Sequence, residues 1–243
     1  MHQPITILYS PLPQGSNAYL RLWRKAFETA LEPWLDARQL EHVRRFGQEV
    51  METALSRLLS RALLITSAGL HGSSQNQIRM DNHNRPLFAG WQVAFSHSGQ
   101  AAFCALAPAG QESPTLGLDA EALASPPPHA SAYTEHELFA STALFRECTD
   151  REALRRWTIK EAMVKAAGLG LGMQPAQIPT GRFGQRAGLW QGPLGLLGWR
   201  TLACPGHWLC VAQAGRVPHS KIFLRRQDPH TLLARLTDLQ QQS

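Results

Sequence analysis

Trp157-Thr-Ile-Lys-Glu-Ala-Met-Val-Lys-Ala-Ala-Gly168 decides how the rest of the chain is read. Its residues are good helix formers without proline, and Gly168 stands where a helix would stop. At about 100° per residue, two faces separate. Ile159, Ala162, Met163 and Ala166 form an apolar face that must pack on something. Trp157, Glu161 and Lys165, each four apart, climb the opposite side. A carboxylate and an ammonium one turn apart can share a substrate. They can equally form a solvated helix-surface pair contributing about 0.2–0.5 kcal/mol. The surrounding chain decides between the two.

Upstream lies a strand, Thr115-Leu-Gly-Leu-Asp-Ala-Glu121. Side chains two apart in a strand share a face, so Asp119 and Glu121 point together. Adjacent carboxylates repel unless a cation or a shared proton relieves them. Few protein ligands, all oxygen, is how Mg²⁺ is held beside phosphates; a solvated strand end is the plainer alternative. Further upstream, Val93-Ala-Phe-Ser-His-Ser98 and Ala101-Ala-Phe-Cys-Ala-Leu-Ala107 flank Ser98-Gly-Gln100 and predict a hairpin. His97 there could contact a phosphate, act as a base, or hydrogen-bond across the turn. No G-x-S-x-G elbow accompanies it, which disfavours a Ser–His–Asp hydrolase.

Other elements follow in order. Ile5 to Tyr9 predicts a strand, and Leu40 to Leu64, carrying Arg44, Arg45, Arg57 and Arg61, a helix. Gly72 to Asn84 predicts a polar turn region before Arg85-Pro86. Pro108 to Pro114 reads as a linker near mid-chain, so the expected division is 1–112 and 113–243. Thr134 to Ser141 opens with a capping box, Thr134-Glu-His-Glu137, and a second helix runs from about Asp150 into the key stretch. Leu189-Trp190, Gly198 to Ala203 and His207 to Ala212 predict antiparallel strands, Lys221 to Arg225 a last strand, and Pro229 to Gln240 a short helix. Each half holds helix plus hairpin elements, which predicts two similar α+β lobes.

The chain has 243 residues, 44% hydrophobic and 17% charged, so a buried core is affordable. A net charge of +6 and a pI near 9.5 favour an anionic partner. The basic residues are scattered without a nucleic-acid module, so a phosphate ligand or an acidic protein is expected rather than nucleic acid. Cys104, Cys148, Cys204 and Cys210 lack metal-site spacing, and three of them sit in apolar runs that predict buried thiols. No stretch approaches a membrane span, and the first residues lack a signal-peptide pattern. A cytoplasmic protein is expected.

Taken together these features resemble the phosphopantetheinyl transferases of the Sfp-type, two-lobed branch. The family pattern is G-[IVL]-D-x-E, then W-[ST]-x-K-E-[AS]-x-x-K and a small G-x-G. The chain has Gly117-Leu-Asp-Ala-Glu121, Trp157 to Lys165, and Gly168-Leu-Gly170. Arg85-Pro86, Phe95-Ser-His-Ser98 and Tyr133-Thr-Glu-His-Glu137 are similar to further family motifs, in the right order over roughly residues 40 to 172. The resemblance implies an α+β pseudo-dimer of two lobes with the active site in the cleft between them, in a monomer. It implies transfer of 4′-phosphopantetheine from coenzyme A to a serine of an acidic acyl- or peptidyl-carrier protein, releasing 3′,5′-ADP. Asp119, Glu121 and Glu161 would hold Mg²⁺, and Glu161 would take the serine proton. Lys165 would contact the phosphate and assist the leaving group. Ser96 and His97 would bind CoA phosphates, and Arg85 and Pro86 would border the adenine and 3′-phosphate. Glu52 stands where the first-lobe helix of the family often has an arginine, which leaves Arg57 or Arg61 for that contact. The alternatives are a CoA- or carrier-binding protein without transfer activity, and a basic nucleic-acid-binding protein.

Overall fold

The computed structural model describes residues 4–45, 50–69, 77–82, 85–109, 115–137, 146–168, 173–193, 195–218 and 221–242. These form two compact units, Met1–Gln111 with Lys221–Ser243, and Glu112–Ser220. The protein is a mixed α+β protein with two sheets.

The first unit carries β1 (Ile5–Pro11), α1 (Asn17–Leu31), α2 (Ala37–Arg45), α3 (Met51–Ala68), β2 (Arg79–Met80), β3 (Pro86–Phe88), β4 (Trp91–Ser98) and β5 (Ala101–Pro108). β4 and β5 form the expected hairpin, with Ser98 opposite Ala101. Gly99 sits at φ 54°, the left-handed conformation that a two-residue hairpin loop needs. α1 has no counterpart among the sequence expectations. Its N-cap is Ser16, which accepts a hydrogen bond from the Tyr19 N–H at 3.3 Å. Leu20, Trp23, Phe27, Ala30 and Leu31 then repeat at helical spacing into the core.

The helix expected over Leu40 to Leu64 is two helices. α2 ends at Arg45, and α3 begins after Val50, whose φ −136° and ψ 114° are extended. Residues 46–49 of that expected helix lie outside the described residues. α3 is buried nearly all round and forms the centre of a core with Leu8, Trp23, Phe27, Val93, Cys104 and Leu106.

The second unit carries β6 (Leu116–Ala122), α4 (Arg146–Ala167), β7 (Ala187–Gly192), β8 (Gly195–Cys204) and β9 (His207–Ala214). The strands run β6-β9-β8-β7, antiparallel throughout. α4 lies on this sheet. Ile159, Ala162, Met163 and Ala166, its expected apolar face, pack with Leu197, Trp199, Cys210 and Ala212. Gly168 follows at φ 70°, as the stop required. Gly170 and residues 138–141 of the Thr134 helix lie outside the described residues.

The chain then returns. β10 (Ile222–Arg226) pairs in parallel with β1, and α5 (Pro229–Gln241) places Leu232 and Leu236 in the first unit's core. The expected boundary, which kept 221–243 with the second half, is corrected here. A strand-like run declares that it will pair but not with which strand. Cys104, Cys204 and Cys210 are buried free thiols, as expected. Among the described residues no helix is long and apolar enough to cross a membrane.

Candidate active site

α4 and β6 bring the key residues together because residue 117 has no side chain. A Cβ built at Gly117 would come within 2.1 Å of the Ala162 carbonyl oxygen and 2.5 Å of the Ala166 nitrogen. Glycine therefore lets the helix backbone rest directly on the strand. Thr115 Oγ1 donates to the Ala166 carbonyl at 2.6 Å and fixes the end of the helix there. Residues 117, 119 and 121 share one face of β6, so Asp119 and Glu121 both face α4.

They do so in order along the helix. Lys165 Nζ donates to Asp119 Oδ1 at 2.7 Å, and Trp157 Nε1 donates to Glu121 Oε1 at 3.1 Å. Asp119 is 4% exposed. Glu161, one turn from each of Trp157 and Lys165, is half-buried. Burial pushes its carboxyl above the usual carboxylate range, the Asp119 charge adds to this, and Lys165 only partly offsets it. Lys165 thus pairs with a carboxylate 46 residues away, rather than forming only the surface pair that i, i+4 spacing allows.

Among the described residues no three His, Cys, Asp or Glu side chains form a ready-made metal cluster. The donor set nonetheless fits a hard divalent cation. It consists of carboxylates alone, and the Asp119 charge that raises Glu161 is one a cation would relieve.

The other flank of α4 departs from the amphipathic pattern. Glu152, Arg155, Arg156, Thr158 and Lys160 are all buried. Lys160 Nζ lies 2.9 Å from Glu137 Oε2 and donates to the carbonyls of Pro175 and Ile178, each at 2.8 Å. Arg156 lies 2.9 Å from Glu152 and 3.3 Å from Glu137. Arg155 forks onto both oxygens of Glu152 at 2.7 and 2.5 Å. The expected capping box forms reciprocally: Thr134 N–H donates to Glu137 Oε2 at 2.9 Å, and Glu137 N–H to Thr134 Oγ1 at 3.1 Å. Burial pushes Glu137 up, but Lys160, Thr180 and Thr134 together hold its carboxyl down at about 2. Periodicity alone places Lys160 on no particular face; its partners, 15 to 23 residues away in the chain, draw it inward.

The remaining candidates lie in the first unit. Ser96 is buried and His97 exposed, on opposite faces of β4, so their side chains do not converge. Arg85 Nε donates to Asp81 Oδ2 at 2.7 Å and its N–H to Asp81 Oδ1 at 2.8 Å, closing the loop before Pro86, the first residue of β3.

A cationic group between α2 and α3 is more concentrated. Arg57 NH1 is 3.3 Å from His42 Nε2. Arg61, 3% exposed, donates to Gln39 Oε1 and the Arg57 carbonyl, each at 2.8 Å, and lies 5.0 Å over the Phe95 ring. Burial lowers Arg61 to about 9, with Arg57 adding to the effect. Burial likewise lowers His42 to about 4, helped by Arg61, Arg57 and Arg38. Sequence reading named Arg57 and Arg61 but missed Arg38 and His42, whose i, i+4 spacing was the available signal.

A helix and an edge strand of one antiparallel sheet thus bring carboxylates and one ammonium together. Residues 115–200 match the family model described as the 4′-phosphopantetheinyl transferase superfamily, and this bears out the superfamily reading. Over those residues the chain is similar to that superfamily, whose activity is of the phosphopantetheinyl transferase kind. No curated protein matches the chain.

Proposed function

We propose that the protein transfers 4′-phosphopantetheine from coenzyme A to a serine of an acyl- or peptidyl-carrier protein, as the Sfp-type branch does. One observation carries this: Lys165 and Trp157 bind Asp119 and Glu121 at the ends of a line on which Glu161 sits midway. Asp119, Glu121 and Glu161 would hold Mg²⁺, which would supply positive charge to the pyrophosphate.

The chain's own groups do the rest. Lys165, already held against Asp119 and partly open to solvent, donates to the phosphoryl oxygen on which charge accumulates. Glu161 takes the proton of the attacking serine hydroxyl. Glu121 is oriented by the Trp157 N–H. In the first unit Arg57, with Arg61 behind it, takes the phosphates at the nucleotide end of CoA, together with His97. Arg85 and Pro86 border the adenine, and Ser96 supports β4 from its other face.

The test is incubation with CoA, Mg²⁺ and a panel of apo-carrier proteins, read by intact mass. Conversion of a carrier to its holo form, abolished by EDTA, is the expected result. CoA binding without conversion of any carrier would favour the inactive binding protein instead, and full activity in excess EDTA would remove the metal from the scheme.

A further inference from the structure

β10 (Ile222–Arg226) takes no part in the transfer scheme, yet it is unusually open. It stands at the end of the strand order and pairs with β1. Among the described residues no strand pairs with its outer edge. Phe223 and Leu224 are 48% and 36% exposed, and Arg225 and Arg226 are exposed as well. In β1, by contrast, Ile5, Ile7 and Leu8 are buried.

Strand alternation gives the edge a pattern. Ile222, Leu224 and Arg226 share one face, and Phe223 and Arg225 the other. Each face therefore offers an apolar group followed, two residues on, by a guanidinium. Edge strands are commonly blunted by charge along their length. Here the two guanidiniums sit together at the C-terminal end of the strand, and its apolar first three residues carry no charge.

We propose that β10 is a docking edge for an acidic extended segment of a partner protein, which adds to the sheet as its next strand. This goes beyond the transfer reaction and does not depend on it. Added antiparallel, two acidic residues would lie opposite Arg226 and Arg225, and three β-branched residues opposite Leu224, Phe223 and Ile222. The chain's net charge of +6 favours the same partner. A second copy fits poorly. Antiparallel self-pairing centred between Phe223 and Leu224 would set Lys221 opposite Arg226, two like charges, and Ile222 opposite Arg225.

The experiment uses the full chain and a labelled peptide with the core Glu-Glu-Val-Val-Val. The control, Glu-Val-Val-Val-Glu, has the same composition but sets one carboxylate opposite Ile222. Fluorescence anisotropy should show binding at least about tenfold tighter for the first peptide, because two charge pairs and the register favour it. Raising salt from about 0.1 to 0.5 M should weaken binding severalfold. Hydrogen exchange should slow at the β10 amides. The exposed pair Arg225→Glu/Arg226→Glu should lose the acidic peptide and gain Lys-Lys-Val-Val-Val, a swap that a misfolded variant could not make. Equal binding of the control would overturn the proposal, since it would show only general attraction to a basic chain. So would protection elsewhere, or self-association protecting β10, which would make a second copy the occupant.

Discussion

Glu137 in the second unit and Arg61 in the first are each 3% exposed, yet they meet opposite surroundings. Glu137 faces Lys160, Arg156, Thr180 and Thr134, so its charge is matched from several sides. Among the described residues the hydrogen-bond and ring partners of Arg61 are neutral: Gln39, a backbone carbonyl and an aromatic ring. Burial first, and neighbouring cations second, lower both Arg61 and His42. A buried charge without a counter-charge costs stability. One cluster is matched in charge among the described residues, while the other would gain from an anion, as the proposed CoA contact supplies. The difference separates the scaffold from the proposed binding site, built from the same kinds of side chain.

The largest expected effect comes from breaking the charge-matched cluster. Glu137→Ala leaves Lys160 and Arg156 buried without their shared carboxylate, and should cost about 3–5 kcal/mol. For a chain of this size the melting temperature should fall by roughly 6 °C or more. A fall of only about a degree would mean that the network is dispensable and the contrast with Arg61 empty.

Next comes the site that this scaffold holds. Glu161→Gln preserves shape but removes charge and basicity, so kcat should drop at least ~10²-fold with little change in melting temperature. Stability and rate thus divide along the two flanks of one helix. Near-wild-type turnover would reduce Glu161 to a surface residue.

The third effect is smaller and opposite in sign to the first. Arg61→Met with Gln39→Leu removes the uncompensated cation and its amide partner together. The free protein should be unchanged or stabilised by about 1 kcal/mol, since an apolar pair replaces a desolvated charge. KM for CoA should rise about tenfold with kcat little altered, as for a contact equal in ground and transition states. A large loss of stability would show that Arg61 is structural, like Glu137.

Much of this was legible in the sequence, and the exceptions share a cause. The α4 core face, the hairpin at Gly99, the capping box and the C-terminal strands follow from local spacing, and they are found in place. What spacing could not supply is partner identity. Spacing leaves Lys160 on no particular face until Glu137 and the carbonyls of residues 175 and 178 are seen around it. β10 and α5 read correctly as elements, yet their pairing with the first unit is a long-range choice. Gly117 was noted as part of a motif, but its reason, contact with the helix backbone, needed the packed pair. α1 escaped because its apolar positions are diluted by Arg21, Arg24 and Lys25, although Ser16 marked its start.

The smallest effect is a pH dependence that reads the cationic cluster directly. His42 has its proton affinity lowered from 6.5 to about 4, first by burial and then by Arg61, Arg57 and Arg38. Between these values the unfolded chain binds a proton that the folded protein resists, so stability rises with pH across that window. The contribution is fully present above about 6.5 and is lost as pH falls through about 4. Because His42 is only half-buried, solvent screening keeps the effect modest. His42→Gln should therefore flatten this part of the stability–pH curve while leaving the neutral-pH melting temperature nearly unchanged. An anion seated among Arg38, Arg57 and Arg61 would act in the opposite sense, drawing His42 back toward its ordinary value. Saturating CoA should then move the NMR titration midpoint of His42 upward. A midpoint near 6.5 without CoA would mean that the arginines do not press on His42, and an unmoved midpoint with CoA bound would place the nucleotide phosphates elsewhere.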